Sequence, residues 1–285
     1  MFEKIVVGTD GSPSAVAALD WAADEAARKG VPLHIVSVVE NWPYGIARYP
    51  APPDVGDSLV RGAARVLGEA EARARRRRPE IEVTVAVVEG VPATVLCEQA
   101  KDAAEVVVGS RGLGGFAGAV VGSVSAHVAG HAHGPVVVVR PDAEARDGGE
   151  VVVGVDDSPE CGPALVYAFE QASLRGAALR AVHAWRLPVH AYAPEIAYDM
   201  DEIRRAQHQV VSDKLAELSG GYPGVTVIED VPCAHPVDAL AQASEKADLV
   251  VVGSHGRSGV GALLLGSVSR ALLHHACCPV AVVRP

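Results

Sequence analysis

Residues 107–125 read VVGSRGLGGFAGAVVGSVS, and residues 251–269 read VVGSHGRSGVGALLLGSVS. Each stretch leaves an apolar, strand-like run, crosses a glycine-rich interval and ends on a helix-like Gly-Ser-Val-Ser. The spacing is the same in both: Gly109, Gly112, Gly122, Ser123 and Ser125 against Gly253, Gly256, Gly266, Ser267 and Ser269, that is Gly-x2-Gly-x9-Gly-Ser-x-Ser. A plain turn has no need to hold nine intervening residues fixed. A glycine loop between a strand and a helix is where an α/β protein seats an anion: the helix start carries unpaired N–H groups and a partial positive charge, and glycine lets the backbone approach and supplies positive φ. The stretch therefore reads as a phosphate cradle, with Ser123 and Ser125 as added hydroxyl donors. The competing reading is a tight turn followed by a serine N-cap.

Working outward, the repetition extends over the whole chain. EKIVVGTDGSPSAVAALDWA (3–22) matches EVVVGVDDSPECGPALVYA (150–168), and GPVVVVRP (134–141) matches CPVAVVRP (278–285). The join is the polar, glycine-ended DAEARDGG. Two homologous domains follow, 1–141 and 150–285, with 142–149 as linker. In each, apolar strand-like runs alternate with helix-spaced segments, which predicts an α/β fold: a parallel sheet of five strands with helices on both faces. IVVG and VVVG are apolar throughout and belong at the centre. IEVTVAVV and VTVIED alternate, as an edge strand does. The predicted order is 3-2-1-4-5, with the reversal between strands one and four, where ligands of open α/β sheets bind.

Composition narrows the function. The 285 residues carry 49% hydrophobic and only 4% aromatic side chains, so the core is built from Val, Ala and Leu. The formal charge of −10 argues against nucleic acid and anionic membrane as partners. The first residues, MFEKIVVGTDGSP, do not read as a signal peptide, and no apolar run reaches the ~18 residues of a membrane span. A cytoplasmic location is expected. The five cysteines lack zinc spacing and read as reduced, mostly buried thiols. The run RARRRR (73–78) reads as a solvated helix end. His131, His133, His274 and His275 read as helix-end histidines rather than metal ligands, and no metal site is predicted. Ser12 and Ser158, each before proline, read as N-caps. The loop with Trp42, Tyr44 and Tyr49 is placed either over a ligand or against the protein. No Walker A lysine precedes Ser123 or Ser267, and no dinucleotide fingerprint follows the first strand.

On VVGTDGS and VVGVDDS, the two Gly-x2-Gly-x9-Gly-Ser motifs and the closing VVVVRP and VAVVRP, the chain resembles the ATP-binding branch of the universal stress protein family over essentially its whole length. The resemblance implies two adenine-nucleotide sites, one per domain, with ATP, ADP or AMP as guest. It places Asp10 and Asp156 near the adenosine, the glycine loops at the phosphates, and the backbones of Val38 and Ala184 at adenine. The expected binding set is Gly8, Thr9, Asp10, Val38, Gly109, Arg111, Gly112, Gly122, Ser123, Val124 and Ser125 in the first domain. In the second it is Gly154, Val155, Asp156, Ala184, Gly253, His255, Gly256, Gly266, Ser267, Val268 and Ser269. Arg111 stands where the second domain has His255, and is placed to pair a phosphate. Asp157 stands where the first has Gly11, to repel phosphate or help hold Mg²⁺. The two sites are therefore expected to differ in affinity. Pairing of the domains as a pseudo-dimer through their last strands is expected, and homodimers are a further reading. No base or metal set of a phosphoryl- or adenylyl-transfer enzyme stands out, which favours a regulatory binding protein of the stress response. The alternatives are a slow ATPase, a nucleotidyl-transfer enzyme of a related α/β group, or a nucleotide held only as a structural ligand.

Overall fold

The computed structural model describes residues 4–40, 55–114, 120–141, 149–158, 161–187, 199–256 and 265–284. The predicted linker falls largely outside them. The aromatic loop with Trp42, Tyr44 and Tyr49 and the middle of both glycine intervals also lie outside the described residues. The chain divides into two compact units, Met1–Ala143 and Glu144–Pro285.

Unit 1 runs β1 (Ile5–Gly8), α1 (Pro13–Lys29), β2 (Leu33–Val39), α2 (Val55–Arg77), β3 (Val83–Glu89), α3 (Pro92–Gln99), β4 (Glu105–Gly109), α4 (Ser123–His131) and β5 (Pro135–Val139). Its strands pair in parallel in the order β3-β2-β1-β4-β5. Unit 2 repeats it as β6 (Glu150–Gly154), α5 (Cys161–Arg175), β7 (Ala178–Val182), α6 (Met200–Ser219), β8 (Val227–Asp230), α7 (Pro236–Ser244), β9 (Ala247–Gly253), α8 (Ser267–His275) and β10 (Val280–Val283). Its order is β8-β7-β6-β9-β10, again parallel. The predicted order 3-2-1-4-5 holds in both.

The sequence explains the order. Val6, Val7, Val106, Val107, Val136 and Val137 are all at most 1% exposed, as are Val151, Val152, Val250 and Val251. A strand buried on both faces has no polar position to spare, and each such valine contributes about 1.5–3 kcal/mol by leaving water. β3 keeps Thr84 and Val85 exposed, as an edge strand can. α1 begins where Ser12 accepts the Ala15 N–H at 3.2 Å and Pro13 opens the first turn. It ends on Gly30, whose φ of 65° is the left-handed conformation that glycine favours.

The arginine run departs from the solvated reading. Arg73 grips both carboxylate oxygens of Asp20 at 2.6 Å, while Arg77 and Arg78 converge on Asp24 at 2.7 and 2.8 Å. Arg75 turns back to Glu71 and to the Val83 carbonyl. The run clamps α2 onto α1. Burial pushes the Asp24 carboxyl up, but the hydrogen bonds and charges of Arg77 and Arg78 outweigh it and hold it below the usual range. A periodic arginine run looks exposed in one dimension because its acidic partners lie 53 and 54 residues away. The cysteines also depart from expectation: Cys161 and Cys278 are buried, Cys97 is half-buried, and Cys233 and Cys277 are exposed. All five are free thiols.

Candidate functional site

Each unit builds its site from the ends of its two central strands and the start of one helix. In unit 1, Thr9 leaves β1 with its N–H on the Val36 carbonyl at 2.9 Å. Asp10 then takes two backbone donors: Oδ1 accepts the Ser12 N–H at 2.9 Å, and Oδ2 accepts the Leu113 N–H at 2.8 Å. The Ser12 hydroxyl donates to the Arg111 carbonyl at 3.2 Å. Asp10 and Ser12 thus fasten the turn after β1 to the glycine loop after β4. In unit 2, Asp156 Oδ1 accepts the Ser158 N–H at 3.0 Å and also the Ser158 hydroxyl.

The glycine loop is closed at its neck by the same three bonds in both units. Ser110 N–H donates to the Val139 carbonyl at 2.7 Å, Gly122 N–H to the Ser110 carbonyl at 2.7 Å, and the Ser125 hydroxyl to the Gly109 carbonyl at 2.6 Å. Their counterparts are Ser254 to Val283 at 2.9 Å, Gly266 to Ser254 at 2.8 Å, and Ser269 to Gly253 at 2.6 Å. The neck sets α4 and α8 with their N-termini at the ends of β4 and β9. Both helices start from a glycine cap with no side-chain acceptor, whereas α1 and α6 are capped by Ser12 and Asp199. The first-turn N–H groups of residues 123–125 and 267–269 are therefore left for another acceptor. Ser123 and Ser267 are exposed, Val124 and Val268 half-buried. Ser125 and Ser269 are buried and spend their hydroxyl protons on the neck, so they are not the added donors the sequence suggested; their backbone N–H groups remain.

The motif glycines are there for space. None of Gly109, Gly112, Gly122, Gly256 and Gly266 has a positive φ. A Cβ on Gly112 would stand 2.5 Å from Asp10 Oδ2, and one on Gly256 2.6 Å from Asp156 Oδ2. A Cβ on Gly109 would meet the Ser14 backbone of α1 at 2.5 Å. Gly8 and Gly154 pack against Leu96 and Leu240.

β2 runs past the end of β1 to Val39, and beyond β7 the chain continues to an isolated bridge between Trp185 and Cys233. Val36 and Val182 direct their carbonyls to Thr9 and Val155, while His183 and Trp185 direct their N–H groups to the β8 side. Backbone groups alternate sides along a strand. Val38 and Ala184 therefore present an N–H and a C=O toward the side where β1 and β6 have already ended. Ala184 has no protein partner for either among the described residues.

In unit 2 these parts enclose a cleft of about 660 Å³, within the range of small-molecule sites. Gly154, Val155, Asp156, Ala184, Gly253, His255, Gly256 and residues 266–269 all line it, so the structure brings the whole predicted unit-2 set together. It adds residues the sequence reading missed, among them His183, Trp185 and Gln207. His183 is 3% exposed, with Nδ1 2.9 Å from the Val155 carbonyl and Nε2 2.9 Å from the Gln207 side chain. Laying the two halves side by side could have found this wall, since His183 and Trp185 fall opposite Ser37 and Val39. The Arg111 carbonyl is held by Ser12, and its side chain is exposed at the loop.

A family model described as the universal stress protein family matches residues 1–140 and 149–284. A universal stress protein of Mycobacterium tuberculosis is 36% identical over 302 residues, covering 98% of this chain and 94% of its own. One of Mycolicibacterium smegmatis is 35% identical over 290 residues, covering 99% and 97%. The crystal structure of a universal stress protein from Archaeoglobus fulgidus, 22% identical, aligns over 100% of this chain and 99% of its own with a TM-score of 0.74, a likeness of fold.

Proposed function

The chain belongs to the universal stress protein family in two tandem copies, and from that premise we propose that each unit is an adenine-nucleotide site, with ATP the preferred guest. The observation that carries this reading is the pair of glycine-capped helix starts at the strand ends, each beside a strand-end aspartate. Three first-turn N–H groups suit a phosphate oxygen, since the helix dipole and unpaired donors favour an anion without an added lysine. The N–H and C=O of Ala184 match the adjacent acceptor and donor on the edge of adenine, and Val38 would do the same in unit 1. Asp10 holds the loop through the Leu113 N–H, and Asp10 and Asp156 would stand near the ribose. In unit 2, Asp157 is exposed beside Asp156 and is the group to meet a magnesium ion arriving with the phosphates.

The protein acts by holding nucleotide as a regulatory signal rather than by turning it over. Among the described residues the unit-2 cleft is lined by no lysine, and its one loop histidine, His255, has Nδ1 engaged 3.0 Å from the Ser254 hydroxyl. Mass spectrometry of the small molecule retained on purification, with calorimetric titration of ATP, ADP, AMP and cyclic AMP, tests the reading. Two sites with adenylate bound and phosphate release at background support it. Robust release of phosphate or pyrophosphate, lost in Asp10→Ala and Asp156→Ala, would replace it with an enzyme.

A further inference from the structure

We infer that the unit-2 cleft reads the nucleoside half of its ligand through side chains, with Trp185 as a specificity-determining hydrogen-bond donor and Gln207 as a second donor. The inference rests on the nucleotide reading of the same site and goes beyond it, because unit 1 has Val39, with no side-chain donor, at the position of Trp185.

Two observations carry it. First, Trp185 lines the cleft and is 8% exposed, yet its indole N–H is buried with no hydrogen-bond partner. Such a donor costs stability where it stands, about 1–3 kcal/mol, and is paired in nearly all proteins. His255 Nε2, on the opposite strand end and lining the same cleft, is the second unpartnered buried atom, with Nδ1 engaged 3.0 Å from the Ser254 hydroxyl. Two orphaned polar atoms in one cleft point to a polar guest. Second, His183 holds Gln207 in place: its Nδ1 lies 2.9 Å from the Val155 carbonyl and its Nε2 2.9 Å from the Gln207 side-chain oxygen. The Gln207 amide nitrogen is the group left for the cleft. The wall thus offers two donors, one on Trp185 and one on Gln207. That pair suits a purine nucleoside, whose ring nitrogens and ribose oxygens accept. The indole N–H is sealed from solvent by its own surroundings, so pairing needs the ring to turn toward the guest.

The test uses the full chain carrying Gly112→Val, so that unit 2 reports alone, with the three tryptophan indoles labelled with nitrogen-15. Trp185→Phe assigns the Trp185 signal. On saturation with ATP that signal should move downfield, and Trp185→Phe should weaken ATP binding by roughly tenfold. Gln207→Leu should weaken it by a smaller factor. ATP analogues with one ring nitrogen replaced by carbon, or lacking the 2′-hydroxyl, should show the Trp185→Phe loss shrinking for the one analogue that lacks the acceptor. An unmoved Trp185 signal with ATP bound overturns this inference alone, and it is read on unsubstituted tryptophan even if the phenylalanine variant folds poorly. Failure of the parent chain to bind any adenylate overturns both this and the nucleotide reading.

Discussion

At the same register position, just past the end of the first strand, unit 1 buries Ser37 and unit 2 buries His183. Two residues on, unit 1 has Val39 where unit 2 has Trp185. The neck of the glycine loop, by contrast, is bonded through the same three contacts in both units, each within 0.2 Å of its counterpart. The contrast teaches where duplication has been held and where it has been released. The loop neck is bonded largely through backbone groups, which a side-chain change cannot easily alter. The wall of the unit-2 cleft includes side chains, His183 and Trp185 past the end of β7 and Gln207 on α6, which can change one at a time. Two copies can therefore keep one loop and differ in the wall beside it.

The comparison can be broken most directly at the glycine loop. Gly256→Val puts a side chain where Asp156 Oδ2 lies 2.6 Å from the glycine's would-be Cβ, and Gly112→Val does the same against Asp10. Each should cut affinity in its own unit by about a hundredfold, equivalent to roughly 3 kcal/mol, and reduce the calorimetric stoichiometry from two to one. Unchanged stoichiometry and affinity in both variants would end the shared-cradle account. Next in size, His183→Ala strips the Val155 carbonyl and Gln207 of their buried partner. It should cost about 2 kcal/mol in urea unfolding, while Ser37→Ala costs well under 1 kcal/mol. Equal losses would show that the walls are not different in kind.

The smallest effect is electrostatic. Unit 1 is clamped by Asp24 with Arg77 and Arg78, and unit 2 by Arg180 bridging Glu150 at 2.6 Å and Asp230 at 3.2 Å. The hydrogen bond from Arg180 holds the Glu150 carboxyl below its ordinary value, against a smaller upward push from burial. A carboxylate depressed in the folded state adds stability that is fully present above its unfolded pKa near 4 and is lost as pH falls through the lower folded value. Asp24→Asn should lower stability at pH 7 by about 1 kcal/mol, since its arginines are more than a third exposed. It should also flatten the acid limb of the melting curve. Melting temperature against pH from 7 to 3, for parent and variant, measures this; parallel curves would remove Asp24 from the acid response.

Much of this was legible in sequence because it depends on burial pattern and spacing. Uniform valine runs marked β1, β4, β6 and β9 as central, and Thr84 in an alternating run marked the edge. The glycine interval placed the loop, but the reason for its glycines could not be read. Gly112 and Gly256 make room for Asp10 and Asp156, which are about a hundred residues away along the chain. The His183–Gln207 bond joins a strand end to a helix whose own pattern is unremarkable, and the unpartnered indole of Trp185 is a statement about surroundings that only the fold supplies. The arginine run misled for the same reason: charge periodicity shows where a side chain sits on its helix, not what stands across from it.

The neck bonds have one more effect. They join Gly109 and Ser110 to Gly122 and Ser125 as a rivet joins the two ends of a hoop. Across the interval they span, residues 113–121 and 257–265 share one identical amino acid, Gly115 against Gly259. With both ends riveted, the hoop can be rewritten without moving the helix that follows it. The sequence of the interval is thus free to diverge in size and charge, copy by copy, while its anchor points keep still.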